Sequence, residues 1–108
     1  MDTQLKKGTL EFCVIALLSH RDWYGYELTQ ELNKLLIVKD ATIYLILQRL
    51  EKANFVEAYI QVMDDSAKIR KYHHLTAKGI ERLSLLQEEW ARLAIIVEQC
   101  IEKGEMSK

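Results

Sequence analysis

The clearest indication of the fold comes from residues 40–76, DATIYLILQRLEKANFVEAYIQVMDDSAKIRKYHHLT. Its first third predicts a helix with one buried side, because apolar residues recur at the helical spacing i, i+4, i+7: Ile43, Leu47 and Leu50. We expect Asp40 to cap the start of this helix. We expect Asn54 to end it, because Asn tolerates the left-handed backbone conformation found at helix ends.

Two runs rich in β-branched and aromatic residues follow this helix, at 55–62 and 69–75. The polar segment 63–68 separates them, and runs of this composition around a polar turn predict a β-hairpin. The stretch therefore predicts a helix that leads directly into a hairpin.

Two more helices are predicted upstream. Apolar residues within 5–18 are too dense for a helix with one buried side, so we expect this first helix to be covered on most of its surface. The second helix spans 24–35. Its apolar stripe consists of Leu28, Leu32 and Leu35. Three helices followed by a hairpin is the order of a winged-helix domain, which we assign to residues 1–76.

A fourth helix is predicted after the hairpin. Thr76 is a good N-cap, and the helix runs from residue 77 to about 103, roughly 40 Å at about 1.5 Å per residue. Apolar residues along it recur at alternating spacings of 3 and 4, as in coiled coils: Leu83, Leu86, Trp90, Leu93, Val97 and Cys100. Such a seam needs a partner helix. We therefore expect residues 77–108 to dimerise the chain, with helix 1 also in the interface and the whole chain forming one compact unit.

The composition of the 108 residues fits one folded domain, with 49% apolar residues, 29% charged residues and no proline. No apolar run approaches the roughly 20 residues of a membrane span, and the N-terminus lacks the apolar region of a signal peptide, so we expect a cytoplasmic protein. The formal net charge is −1. Because DNA-binding domains are usually basic, any DNA-binding surface must come from local clusters of Lys and Arg.

Several short motifs together resemble one known family. The motifs are YGYEL at 24–28, ATIY at 41–44, RLEK at 49–52, RKY at 70–72 and LTAKG at 75–79. In this order and spacing they resemble the phenolic-acid-repressor (PadR) family of transcriptional regulators over nearly the whole chain. The resemblance implies a mainly α fold with a small β-hairpin, which is a winged helix-turn-helix with a long C-terminal dimerisation helix.

The short length and Trp90 look most like the compact subclass of this family that includes multidrug-binding repressors. That likeness implies a homodimer built from helices 1 and 4, with an aromatic pocket between the protomers. The sequence departs from the family pattern at four positions. Lys39-Asp40 stands where Ser-Pro is common, Asn54 replaces a glycine, and His73 replaces a tyrosine. These departures bear on the operator sequence and the details of the wing, not on the fold.

The exposed side of helix 3 and the hairpin, or wing, form the candidate DNA interface. On helix 3, Gln48 can pair with adenine and Arg49 with guanine in the major groove. Thr42 and Leu45 share this side of the helix, and the resemblance gives Tyr44 a phosphate contact, with a packing role as the alternative. Basic residues suited to phosphate contacts are Lys39, Lys68, Arg70 and Lys71. The alternative for the helix face is an ordinary solvated surface.

Strand alternation limits what the wing can contribute. Arg70 and Tyr72 share one face of the predicted strand, and Lys71 and His73 share the other. At most one of Arg70 and Lys71 can therefore point straight at the DNA backbone.

Trp90 lies at the centre of the helix 4 seam, where it would meet its symmetry mate in a dimer. Paired indoles can enclose a planar aromatic compound between them. The residues expected around such an effector are Thr9, Phe12 and Ala16 on helix 1, and Gln87, Trp90, Ala91 and Ala94 on helix 4. The alternative is that Trp90 serves only as an anchor of the dimer core.

The sequence therefore predicts a dimeric, sequence-specific DNA-binding regulator, a repressor that a small aromatic effector releases from a double-stranded DNA operator. Two alternatives stay open: a winged-helix module that binds proteins and not DNA, and a DNA-binding regulator without a ligand. No catalytic arrangement, cofactor motif or metal-ligand spacing is recognisable in the sequence. We therefore expect no enzymatic activity, no cofactor and no metal.

Overall fold

The computed structural model describes residues 3–64 and 68–106, with side chains for 8–64 and 68–104. Four helices and three strands follow one another in the order expected of a winged helix. They are α1 Thr3–Leu18, β1 Trp23–Tyr24, α2 Gly25–Leu35, α3 Asp40–Lys52, β2 Val56–Val62, β3 Ile69–Leu75 and α4 Ala77–Met106. The predicted fold class is confirmed.

The strands form an antiparallel sheet in the order β1-β3-β2. β2 and β3 make the predicted hairpin, with Val56 opposite Leu75 at its base and Val62 opposite Ile69 near its turn. β1 is an addition to the prediction, and it pairs Trp23 with His73. Two residues are too few to show an alternating pattern, so the sequence carried no signal for this strand.

The core lies between α1, α2, α3 and the base of the hairpin. Ile43, Leu47 and Leu50 of α3 are buried as predicted, and Ile46 joins them. On α1, one side is fully buried and a second side, which includes Phe12 and Leu17, is only half-buried. The apolar residues on one side of α1 therefore fill the core, and those on a second side remain partly exposed.

Two details of the predicted helices are wrong. Leu35 is 73% exposed, because α2 ends there and the extended backbone at Leu36 turns the following residues inward. Leu36 and Val38 pack against the core in its place. Asp40 is not the cap of α3: Lys39 is the N-cap, and its carbonyl accepts the first bond from Thr42. Asp40 lies in the first turn, where a carboxylate still interacts favourably with the helix dipole.

The turn between α3 and β2 confirms the predicted role of Asn54, which adopts φ 65°. The amide of Phe55 donates to the carbonyl of Leu50, and the amide of Asn54 donates to that of Glu51. This pair of bonds is a Schellman motif, which satisfies the last carbonyl groups of a helix.

Thr76 caps α4 as predicted, because its Oγ1 accepts a hydrogen bond from the amide of Gly79 at 3.0 Å. The same hydroxyl donates to the carbonyl of Asn54 at 2.7 Å, which ties the start of α4 to the end of α3. Leu83 and Leu86 then pack against the core. From Gln87 to Gly104 every residue is exposed in the single chain. None of the described helices has a segment long and apolar enough to cross a membrane.

Candidate nucleic-acid interface

The buried side of α3 leaves its opposite side facing outward. Leu45, Gln48 and Arg49 are exposed there, and Thr42 is half-buried beside them. Lys39, just before the helix, is also exposed. The structure thus brings the residues predicted for the major groove onto one surface, and their contacts with bases stay a prediction.

Tyr44 lies on the side of α3 that faces α2 and the wing. It is partly exposed, and its ring approaches the start of α2, where a Cβ on Gly25 would lie 3.1 Å from Tyr44 Cε1. Burial raises the pKa of Tyr44, and Tyr24 and Asp40 raise it further, so the hydroxyl stays protonated and able to donate. The packing role and the phosphate contact are compatible at this position.

The two faces of β3 carry different groups, as the alternation predicted. Lys71 and His73 face α3, and Lys71 Nζ lies 3.9 Å from Glu51 Oε2. Arg70 faces the other way, with its guanidinium 5.0 Å from the centre of the Tyr24 ring. Lys71 is therefore the wing cation beside α3. Lys68 is exposed near the hairpin turn, and residues 65–67 of the polar segment lie outside the described residues.

A cavity of about 170 Å³ opens between the start of α2, the side of α3 and β3. We call it the α2–wing cavity. Its walls include Tyr24, Gly25, Tyr44, Glu51, Lys71 and His73. Leu47 and Gln48 complete the side formed by α3. Tyr44, Gln48 and Lys71 were predicted for DNA, whereas Gly25, Glu51 and His73 were not assigned a role. Only the pairing of β3 with β1 reveals that His73 meets α2.

His73 is 4% exposed, and its Nδ1 is buried without a hydrogen-bond partner among the described residues. Burial lowers the pKa of His73, and the positive charge of Lys71 lowers it further. A hydrogen bond to the Trp23 backbone and the negative charge of Glu51 raise the pKa by a smaller amount. The imidazole is therefore neutral near pH 7, with one nitrogen available to donate or accept.

The outer face of the sheet is held to the loop before β1. Tyr59 Oη donates to Asp22 Oδ2 at 2.7 Å, and His74 Nδ1 donates to Asp22 Oδ1 at 2.7 Å. Partial burial acts to raise the pKa of Asp22, but these two bonds outweigh it and the pKa is lowered. The rings of Tyr59 and Tyr72 stack beside this group, with their centres 5.7 Å apart. These contacts tie the hairpin to the loop before β1.

The residues predicted around an aromatic effector lie where α1 and α4 meet. The rings of Phe12 and Trp90 pack edge to face, with their centres 6.1 Å apart, and Trp90 remains 54% exposed. Thr9 and Ala16 are half-buried on α1. The α4 members of the set, Gln87, Ala91 and Ala94, are exposed. Trp90 therefore has a partner in its own chain and an open side.

The predicted dimer seam divides into two parts. Leu83 and Leu86 are half-buried against the core of their own chain, and Trp90, Leu93, Val97 and Cys100 are exposed. Within residues 8–64 and 68–104, no group of three or more His, Cys, Asp or Glu side chains is placed to hold a metal ion.

Comparison with known proteins gives consistent matches. A sequence profile described as the transcriptional regulator PadR-like family matches residues 14–85. The chain is 38% identical over 100 residues to an uncharacterized protein of Lysinibacillus sphaericus, a match that covers 89% of this chain and 91% of that protein.

Solved structures resemble the chain over nearly its full length. A Streptococcus transcriptional regulator is 37% identical with a TM-score of 0.80, covering 91% of this chain and 97% of that one. A PadR-like transcriptional regulator from Bacillus cereus is 33% identical with a TM-score of 0.79, covering 92% of this chain and 97% of that one.

Proposed function

The chain belongs to the PadR-like family of transcriptional regulators, and from this premise we propose that it is a homodimeric repressor that binds a roughly palindromic operator. Members of this family are DNA-binding transcriptional regulators and not enzymes. Because such a regulator acts on chromosomal DNA, we place it in the cytoplasm.

The observation that carries the dimer is the apolar surface of α4. In the single chain, large apolar side chains are exposed along it: Trp90, Leu93, Ile95, Ile96, Val97 and Ile101. Soluble monomers rarely expose large contiguous apolar surfaces, and a second copy of the same helix would cover these side chains most simply. We assign residues 77–108 to dimerisation, with α1 contributing, and residues 1–76 to DNA binding.

The DNA interface follows from the exposed side of α3 and from Lys71 beside it. In a dimer, the two α3 helices enter successive major grooves about 34 to 36 Å apart. Gln48 and Arg49 read bases, with Thr42 and Leu45 beside them. Phosphate contacts come from Lys39, Tyr44, Lys68 and Lys71, with Arg70 on the outer wing face. These contacts explain how a chain of nearly neutral net charge binds DNA.

Repression is tested by transcription in vitro from the promoter upstream of the gene for this chain. Purified protein should lower the amount of transcript from that promoter and leave an unrelated promoter unchanged. An increase in transcript would show an activator and overturn the proposed repression.

The effector site is the open side of Trp90. A planar aromatic compound that stacks on this indole at the dimer interface changes the relative position of the two α3 helices. Such a compound releases DNA only to the extent that it binds the two arrangements with different affinity.

The chain has two tryptophans, which makes the effector test selective. Planar aromatic dyes should quench the fluorescence of the wild type and of Trp23→Phe, and quenching should be lost in Trp90→Phe while the dimer persists. Equal quenching of the two variants would place the ligand elsewhere, and no quenching in any of them would favour a regulator without an effector.

A further inference from the structure

The hairpin leaves one edge of the sheet without a neighbouring strand. In the strand order β1-β3-β2, β2 is an edge strand, and among the described residues only β3 pairs with it. Its register with β3 is continuous from Val56 to Val62. The open edge of a strand presents a row of backbone N–H and C=O groups that can pair with another chain.

The hydrogen bonds at the two ends of the hairpin show which residues of β2 direct their backbone groups outward. The amide of Met63 donates to the carbonyl of Lys68, and the amide of Thr76 donates to that of Phe55. Hydrogen-bonded pairs alternate along an antiparallel ladder, so the odd-numbered residues of β2 bond to β3. The even-numbered residues direct their N–H and C=O groups away from β3. Beyond the base of the strand these are Ala58, Ile60 and Val62.

The sequence of β2 lacks the features that commonly keep an edge strand from pairing. The strand, VEAYIQV, contains no Pro, Lys or Arg, and Glu57 is its only charged residue. The side chains of Ile60 and Val62 lie on one face of the hairpin together with Ile69, and all three are more than half exposed. Exposed apolar side chains beside an open edge are typical of a strand that adds to another sheet.

We propose that β2 pairs antiparallel with β2 of a second copy of the chain, so that the two sheets become one. When Ile60 lies opposite the partner's Ile60, Ala58 lies opposite the partner's Val62, and the outward backbone groups of both strands meet. In this register apolar side chains lie opposite apolar side chains, which stabilises a sheet. Glu57 lies opposite the partner's Met63 and not opposite a second carboxylate. The strand is therefore complementary to itself.

This interface is separate from the proposed dimer seam on α4, and it depends neither on that seam nor on DNA binding. Where α4 joins two chains into a dimer, β2 joins such dimers to one another, because the two interfaces have different two-fold axes. The contact between two short strands is small, so we expect the pairing to depend on protein concentration.

The test measures the mass of the full chain by analytical ultracentrifugation, and amide hydrogen exchange by NMR, over a range of protein concentrations. The mass should rise from that of the dimer toward double that value as the concentration increases. Over the same range, exchange should slow at the outward amides of Ile60 and Val62. The amides of Tyr59 and Gln61 already bond to β3 and should exchange at the same rate throughout.

Ile60→Pro removes the outward N–H at the centre of the proposed pairing and removes no hydrogen bond of the hairpin. The rise in mass should be lost in this variant. Ile60→Thr retains the N–H and the preference for a strand, and it should retain the rise in mass. Ile60→Lys serves if circular dichroism shows that the Pro variant folds poorly, because it places two ammonium groups opposite each other in the pairing.

A mass that does not depend on concentration, with unchanged exchange at Ile60 and Val62, would overturn the inference. So would a rise in mass that is the same in the wild type, Ile60→Pro and Ile60→Lys. If Ile60→Pro instead converts a dimer into a monomer, β2 forms the dimer itself. That result would overturn the proposed role of α4 and leave this inference standing.

Discussion

Gly79 lies in the first turn of α4, where this helix crosses the chain that leaves α3. A Cβ at this position would overlap the carbonyl oxygen of Phe55 and press against the side chain of Leu75. Because the carbonyl belongs to the backbone of the Schellman turn, it cannot move aside cheaply. Gly79→Ala should therefore lower the free energy of unfolding by about 1–3 kcal/mol.

Gly104 provides the matched control, because a Cβ there meets nothing within 4 Å. Ala is favoured over Gly within helices by up to about 1 kcal/mol, so Gly104→Ala should be neutral or slightly stabilising. Urea denaturation followed by circular dichroism measures both variants. Equal midpoints for the two would contradict the close approach at Gly79.

His73 gives the stability a pH dependence of known sign. Its folded pKa is lowered by burial and by Lys71, whereas in the unfolded chain it is about 6.5. Between these two values the unfolded chain binds a proton that the folded chain does not. The free energy of unfolding should therefore fall as the pH falls from about 6.5 toward the folded pKa.

Urea denaturation at pH 7.5 and pH 5.5 measures this effect. His73→Phe should reduce the difference between the two pH values, and His73→Gln serves if the Phe variant folds poorly. His20→Gln changes an exposed histidine of the loop before β1 and should keep the wild-type difference. A difference that persists unchanged without His73 would assign the effect to another group.

For the helices, strands and turns, the sequence pattern correctly predicts features that depend on interactions between residues close together in the chain. The buried stripe of α3, the hairpin, the left-handed Asn54 and the Thr76 cap each depend on residues within a few positions of one another, and all are confirmed. The wrong prediction at Leu35 has a different origin, because its exposure depends on where the chain turns after α2.

The candidate site, too, could be predicted from the sequence only in part. Helical spacing identifies the exposed side of α3, and strand alternation separates Lys71 from Arg70. The α2–wing cavity cannot be read from the sequence, because it depends on β1, a strand of two residues that pairs with β3 and brings Gly25 next to His73. Long-range pairing of this kind leaves no periodic signal.

The exposed part of α4 supports a prediction about assembly. Leu93 is 57% exposed and lies on the seam, so Leu93→Glu would place two charges in the apolar dimer interface and should dissociate the dimer. Light scattering coupled to size-exclusion chromatography measures the mass, and circular dichroism should show that the winged helix stays folded.

Leu45→Glu is the control for this change, because Leu45 is similarly exposed at 59% but lies on α3. It introduces the same charge and should leave the mass of the dimer unchanged. If both variants, or neither, change the mass, the seam on α4 is not the dimer interface.

At the scale of the whole molecule, the chain measures 67 × 28 × 21 Å, because α4 extends well past the winged helix. This shape separates two tasks. In the proposed function, the winged helix presents α3 and the wing to DNA, and the exposed length of α4 binds a second copy of the chain. The Phe12–Trp90 contact between α1 and α4 connects the two parts, and this contact is the route by which the proposed effector beside Trp90 would act on the domain that carries α3.

Sequence-specific DNA binding is tested by fluorescence anisotropy of the purified protein on DNA from upstream of its gene, against a scrambled duplex, at several salt concentrations. A repressor dimer that binds through α3 and the wing should bind selectively, with a log–log salt slope of about −7 for about 8 phosphate contacts. Arg49→Ala should weaken specific binding by about 1–3 kcal/mol. Lys34→Ala should leave it unchanged. Equal, weak binding of both duplexes, unaltered in Arg49→Ala, would contradict sequence-specific binding of this DNA through α3.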